Sequence, residues 1–274
     1  MWLGTCEDQN IGVLAAVRAR KVGGEMNLIQ EELKLAKSEM FDPIPGTGLV
    51  KLSQKNVAKV EAIIRNDSAY IKSSDKDACV QGGYKGSTAY WMTRLKRILL
   101  DAEYVADEYD DVLSNAIQAV DRDNSTHLNA DGVGRDEMLD RIKKIPRSRL
   151  VEYLKYPGES KYHVINVLSQ ATHPKDSKHK PRTNLSFASK FCHYACFYLF
   201  EGEPEQDNYS IYDNVVLRVL PRYCDYYKVF KPRSFARDYL VYQTTIDEII
   251  NAAGGHISRN GFDHLLWYYF KGRD

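Results

Sequence analysis

From Ser186 to Phe200 the chain reads Ser-Phe-Ala-Ser-Lys-Phe-Cys-His-Tyr-Ala-Cys-Phe-Tyr-Leu-Phe, apolar on nearly every face of a helix. Such a helix has no face for solvent, so the rest of the chain must build a core around it. Its one formally charged residue is Lys190. Burying an unpaired ammonium is costly unless it loses its proton or finds a partner. Lys190 is therefore expected either at a cleft, where desolvation lowers its pKa and leaves a nucleophilic amine, or in the first helical turn with its head snorkelled into water.

The flanking sequence supplies the helices that such a core needs. Apolar residues recur at helical spacing through Asn27 to Met40, Ser53 to Ile64, Tyr90 to Val120, Arg135 to Ile145, Ser148 to Tyr156 and Lys161 to Ala171, whereas strand-like alternation is scarce. The expected fold class is all-α. Breaks fall at Pro43 to Gly48, at Gln81-Gly82-Gly83 and at Asp121 to Gly134, where small polar residues cluster. The last is the candidate linker between an N-terminal helical lobe, residues 1–140, and a C-terminal domain, residues 141–274. Charge divides the same way: the first part holds 17 Lys+Arg against 23 Asp+Glu, the second 21 against 14. Between Arg141 and Arg182 there are 11 basic and 3 acidic residues. That stretch suits a polyanion, or else forms a solvated basic face.

Several function classes are disfavoured by composition. No apolar run approaches the roughly 20 residues of a membrane span, and Met1 to Asn10 has no leader-like pattern. Five cysteines, without a CxxC pair or close cluster, fit a reduced compartment and indicate neither structural zinc nor an iron-sulfur centre. The acidic residues of Asp121 to Asp131 lack the glycine and terminal glutamate of a calcium loop. A cytoplasmic monomer without metal or organic cofactor is expected.

After a polar loop, Ser210-Ile211-Tyr212-Asp213-Asn214 leads into the apolar run Val215 to Leu220, which places Asp213 at a helix N-cap. An aspartate there serves as a cap alone, or caps with one oxygen and offers the other to a cleft. Tyr212, Phe187, Trp267 and Tyr153 are candidates for the walls of a ligand pocket, with core packing as the plainer role of each.

A buried helix with one lysine, a short loop, then an aromatic-Asp pair opening a second helix resembles the core of helix-hairpin-helix DNA glycosylases, above all the 8-oxoguanine glycosylase branch. In that family a Gly-x-Lys at the start of a buried helix supplies the amine and a later aspartate, in a Pro-Val-Asp-like context, the essential carboxylate. Ser189-Lys190 and Ile211-Tyr212-Asp213 stand at those places, and Phe262-Asp263-His264-Leu265-Leu266-Trp267-Tyr268-Tyr269 resembles the closing segment of bacterial members. The resemblance covers roughly residues 141–274. It departs at the hairpin, where Lys180-Pro181-Arg182-Thr183-Asn184-Leu185 has no counterpart of the family's glycines.

The resemblance implies an enzyme that extrudes a modified base from double-stranded DNA and cleaves its bond to the sugar. Lys190 and Asp213 would be its catalytic groups, and Lys190 would also support strand cleavage at the abasic site. Lys175, Lys178, Lys180 and Arg182 would neutralise phosphates. Oxidised guanine is the implied substrate; a hypermodified viral cytosine, removed in antiviral defence, is a further option. A DNA-binding or interaction module that keeps the helices without catalysis is the alternative, and it makes Lys190 and Asp213 dispensable.

Overall fold

The computed structural model describes residues 40–66, 86–101, 108–124, 126–128, 134–172, 183–232 and 238–271. They form a short antiparallel hairpin, β1 (Pro43–Ile44) and β2 (Leu49–Val50), followed by ten helices. These are α1 (Gln54–Asn66), α2 (Thr88–Leu100), α3 (Tyr109–Asp123), α4 (Gly134–Lys143) and α5 (Arg147–Lys155), then α6 (His163–Ser169), α7 (Leu185–Leu199), α8 (Asn214–Tyr227), α9 (Tyr239–Ala252) and α10 (Arg259–Phe270). The all-α expectation is met. None of the described helices is long and apolar enough to cross a membrane.

Local chemistry sets several helix starts. Ser87, Asp213, Asp238 and Ser258 sit in extended backbone before α2, α8, α9 and α10, and each side chain accepts a first-turn N–H. The expected run from Tyr90 to Val120 is two helices, because Asp101 leaves the helical region at the end of α2 and α3 begins at Tyr109. The segment Asn27 to Met40 lies almost wholly outside the described residues, as do the break at Gln81 to Gly83 and the basic run from His173 to Arg182.

The apolar helix α7 lies at the centre, against α2, α3, α5 and α6. Phe187, Ala188, Phe191, Cys192, Ala195 and Cys196 are all buried, so its apolar faces are consumed by neighbours on several sides. A second packing unit joins α1 to α10, and α8 and α9 also pack against α10. The α1–α10 approach depends on Gly261, since a Cβ there would stand 2.8 Å from a methyl of Val57.

Described residues of the expected linker are packed rather than free. The buried Asp121 carboxylate accepts from Thr126 Oγ1 at 2.6 Å, Leu128 N–H at 2.9 Å and Arg135 Nε at 2.8 Å. The boundary drawn between residues 140 and 141 falls inside α4, and one buried apolar cluster runs from Phe41 to Phe270.

The hairpin is tied to α8 by the Arg222 guanidinium, which donates to Thr47 O at 2.8 Å, and by the Tyr223 hydroxyl. Tyr223 Oη donates to Val50 O at 2.8 Å and accepts from Val50 N–H at 3.2 Å, both buried. Tyr223→Phe strands two buried backbone groups, and a cost of about 1–3 kcal/mol is expected. A lower urea midpoint at unchanged m-value would register it; an unchanged midpoint would show that packing and the Arg222 contact hold the hairpin without the hydroxyl.

Candidate active site

Three chain segments meet around Lys190. The first is α7, which carries the lysine; the second is the strand-like segment Ser210 to Asp213 before α8; the third is Asn124 at the C-cap of α3. Lys190 Nζ stands 3.6 Å from Asp213 Oδ2, with 9% of the lysine side chain and 18% of the aspartate side chain exposed. The ammonium also donates to the backbone carbonyl of Asn124 at 3.1 Å. The two ends of the pair sit in helix-terminal fields of opposite sign. Lys190 faces the carbonyl end of α3, and Asp213 caps the amide end of α8, with Oδ1 accepting Val215 N–H at 2.7 Å.

The pair is held in register by the residues just before it. Ser189 Oγ accepts the N–H of Tyr212 at 2.9 Å and donates to Ser186 O at 3.1 Å. Asn124 adds a second tie, because its Oδ1 accepts from Tyr194 Oη, one turn beyond Lys190, at 2.9 Å.

Asp213 caps α8 through Oδ1, and its Oδ2 turns to the lysine. For Lys190 the structure chooses burial beside a carboxylate over snorkelling into water. Burial lowers the lysine pKa from its ordinary value, the Asp213 charge works against that shift, and Lys271 reinforces it.

Lys271 is a second amine at this site, and it follows the last turn of α10. Its ammonium rests 3.8 Å above the centre of the Trp267 ring, and Trp267 is 39% exposed. It lies within electrostatic reach of both Lys190 and Asp213. Burial lowers its pKa as well, with Asp213 pulling it back up. Two lysines thus lie within electrostatic reach of the Asp213 carboxylate.

The aromatic candidates divide. Tyr212 adjoins the pair and packs edge-on against Tyr242 with ring centroids 5.1 Å apart, and Trp267 joins the site through Lys271. Phe187 is fully buried in the core, 6.0 Å from the Phe191 ring. Tyr153 packs at a tilt against His163 where α5 meets α6, 4.9 Å between ring centroids. Lys175, Lys178, Lys180 and Arg182 lie outside the described residues. Of the neighbouring basic residues, Lys143 pairs with Asp110 and Arg149 with Glu152, while Arg147 lies over the Tyr109 ring.

Asn124, Lys271 and Asp263 escape the sequence reading. Asn124 reaches the site across 66 residues through a backbone carbonyl, which leaves no signature in composition. Asp263 did carry a signal, an acid within the apolar α10, of the same kind that singles out Lys190. Comparison with protein-family models, curated proteins and solved structures returns no match to this chain.

Proposed function

We propose that this chain is a DNA glycosylase that extrudes a modified base and breaks its bond to the sugar, leaving an abasic site. The observation that carries the reading is the buried Lys190–Asp213 pair, 3.6 Å apart at the junction of α7 and α8. A lysine with a depressed pKa beside a carboxylate that keeps one oxygen for a cap suits attack on an electron-poor sugar carbon. The resemblance of Ser189-Lys190 and Ile211-Tyr212-Asp213 to the glycosylase pattern supports the same assignment.

In this reading the Asp213 carboxylate stabilises positive charge that develops on the sugar as the C1′–N bond breaks and the base leaves with the bonding electrons. The neutral Lys190 amine adds to C1′, loses a proton and opens the sugar ring to an imine, from which elimination cuts the strand. The base is reached by extrusion, with Tyr212 and Trp267 as stacking faces. Lys175, Lys178, Lys180 and Arg182 grip phosphates of double-stranded DNA in a sequence-independent, salt-sensitive way. The protein acts as a cytoplasmic monomer without cofactor, on oxidised guanine or on a hypermodified viral cytosine.

The test is to incubate wild type and Lys190→Gln with 8-oxoguanine duplexes and naturally modified viral DNA, scoring abasic sites and borohydride-trapped adducts. Base release with trapping that requires Lys190 is the expected result. Release without trapping restricts the enzyme to hydrolysis. No release from any DNA, with salt-dependent binding unchanged by the substitution, replaces the enzyme with a non-catalytic DNA-binding module.

A further inference from the structure

The segment that delivers Asp213 is held by side chains at every backbone group from Ser210 N–H to Tyr212 N–H. Gln243 Oε1 accepts from Ser210 N–H at 3.4 Å, and Tyr239 Oη donates to Ser210 O at 2.8 Å. Ile211 N–H donates to Asp263 Oδ2 at 2.6 Å, Tyr242 Oη donates to Ile211 O at 2.7 Å, and Ser189 Oγ accepts Tyr212 N–H. These holders come from α7, α9 and α10, so the position of the segment depends on the packing of three helices.

Asp263 is the one carboxyl among them and the least economical choice. It is buried in α10, and its Oδ1 has no hydrogen-bond partner among the described residues. A buried oxygen without a partner lowers stability, and residues that break such a rule concentrate at functional sites. We propose that Asp263 is a positioning residue for the Lys190–Asp213 pair, fixing Ile211 and through it the direction of the Asp213 carboxylate toward Lys190.

The charge arrangement agrees with that role. Burial, with the Asp207 and Asp213 charges adding to it, pushes the Asp263 pKa well above the carboxylate range, against the Ile211 N–H bond. An acid biased toward its neutral form holds the backbone through its oxygen, beside the Asp213 carboxylate that faces the lysine. Asparagine keeps the accepting oxygen without charge, so it should replace Asp263; leucine keeps the branched shape and removes the acceptor.

The kinetic part of this inference rests on the glycosylase reading, and the positional part is measured apart from it. Hydrogen exchange at the Ile211 and Tyr212 amides is compared among wild type, Asp263→Asn and Asp263→Leu, each checked for native helicity. Single-turnover base release and DNA affinity are measured on the same samples. Asp263→Asn should match wild type within threefold in exchange and in release. Asp263→Leu should exchange at least tenfold faster at the two amides, and release base at least tenfold more slowly with DNA affinity unchanged. Where Asp263→Leu does not fold, Asp263→Ser, which shortens the side chain without apolar bulk, gives the same comparison. Exchange at Ile211 and Tyr212 equal to wild type in the folded variant overturns the inference whatever the activity. A wild type that releases no base, with exchange accelerated as expected, overturns the glycosylase reading and leaves Asp263 as the holder of the segment.

Discussion

Asp213→Asn should lose base release by about 10²–10³-fold while the protein stays folded and binds DNA as before, the loss that follows removal of one transition-state stabilising group. The fold survives because asparagine is as good an N-cap as aspartate, and its oxygen can keep the Val215 N–H bond now made at 2.7 Å. What disappears is the charge facing Lys190. That charge raises the lysine pKa against burial, so its removal leaves the amine more often neutral. The variant should therefore still form borohydride-trapped adducts with DNA that already contains an abasic aldehyde, where no base has to leave. Loss of release with retained trapping on pre-formed abasic sites separates the two roles. Equal loss of both would make Asp213 a positioning group for the amine; retention of both would remove it from the chemistry.

How much of this site could be read in the sequence follows from the range of the forces involved. Caps and periodicity act within one helix, so the Asp213 cap, the boundaries of α1, α4, α5 and α6 within a few residues, and the encirclement of α7 were legible. Lys190 and Asp213 each stand out by residue type, but only the glycosylase resemblance couples them; the 3.6 Å contact between them is a product of the fold. Asp121 was not, because a polar cluster looks the same whether it is a solvated linker or a buried carboxylate with donors folded onto it. The split between α2 and α3 was missed because apolar spacing continues across a break made by backbone angles at Asp101. Phe187 shows the limit for aromatics: composition names a large apolar ring, and only packing decides that Phe187 is core while Trp267 stays exposed.

The combined substitution Lys190→Met with Asp213→Asn should abolish release and trapping and yet yield a more stable protein, by about 1–4 kcal/mol. Burial is the largest influence on Lys190, and it outweighs the favourable Asp213 charge, since the lysine pKa stays below its ordinary value. The folded state therefore disfavours the ammonium relative to water. Methionine fills similar volume without charge, and the asparagine keeps the cap. The dependence on pH has a fixed sign. Below the depressed folded pKa the lysine is protonated in both folded and unfolded chains, and the wild type carries the full penalty. As pH rises from that value toward 10.5 the folded lysine gives up its proton first, the unfolded chain binds more protons, and wild-type stability recovers. The gap between variant and wild type should narrow over that window, with the buried tyrosines and cysteines common to both chains cancelling from the difference. Urea midpoints from neutral to alkaline pH provide the measurement. A double variant less stable than wild type at neutral pH would mean that the ionic contact and the Asn124 carbonyl together outweigh burial. Lys190 and Asp213 would then be a structural bridge, and the reactive amine on which the strand-cleavage step depends would lose its physical basis.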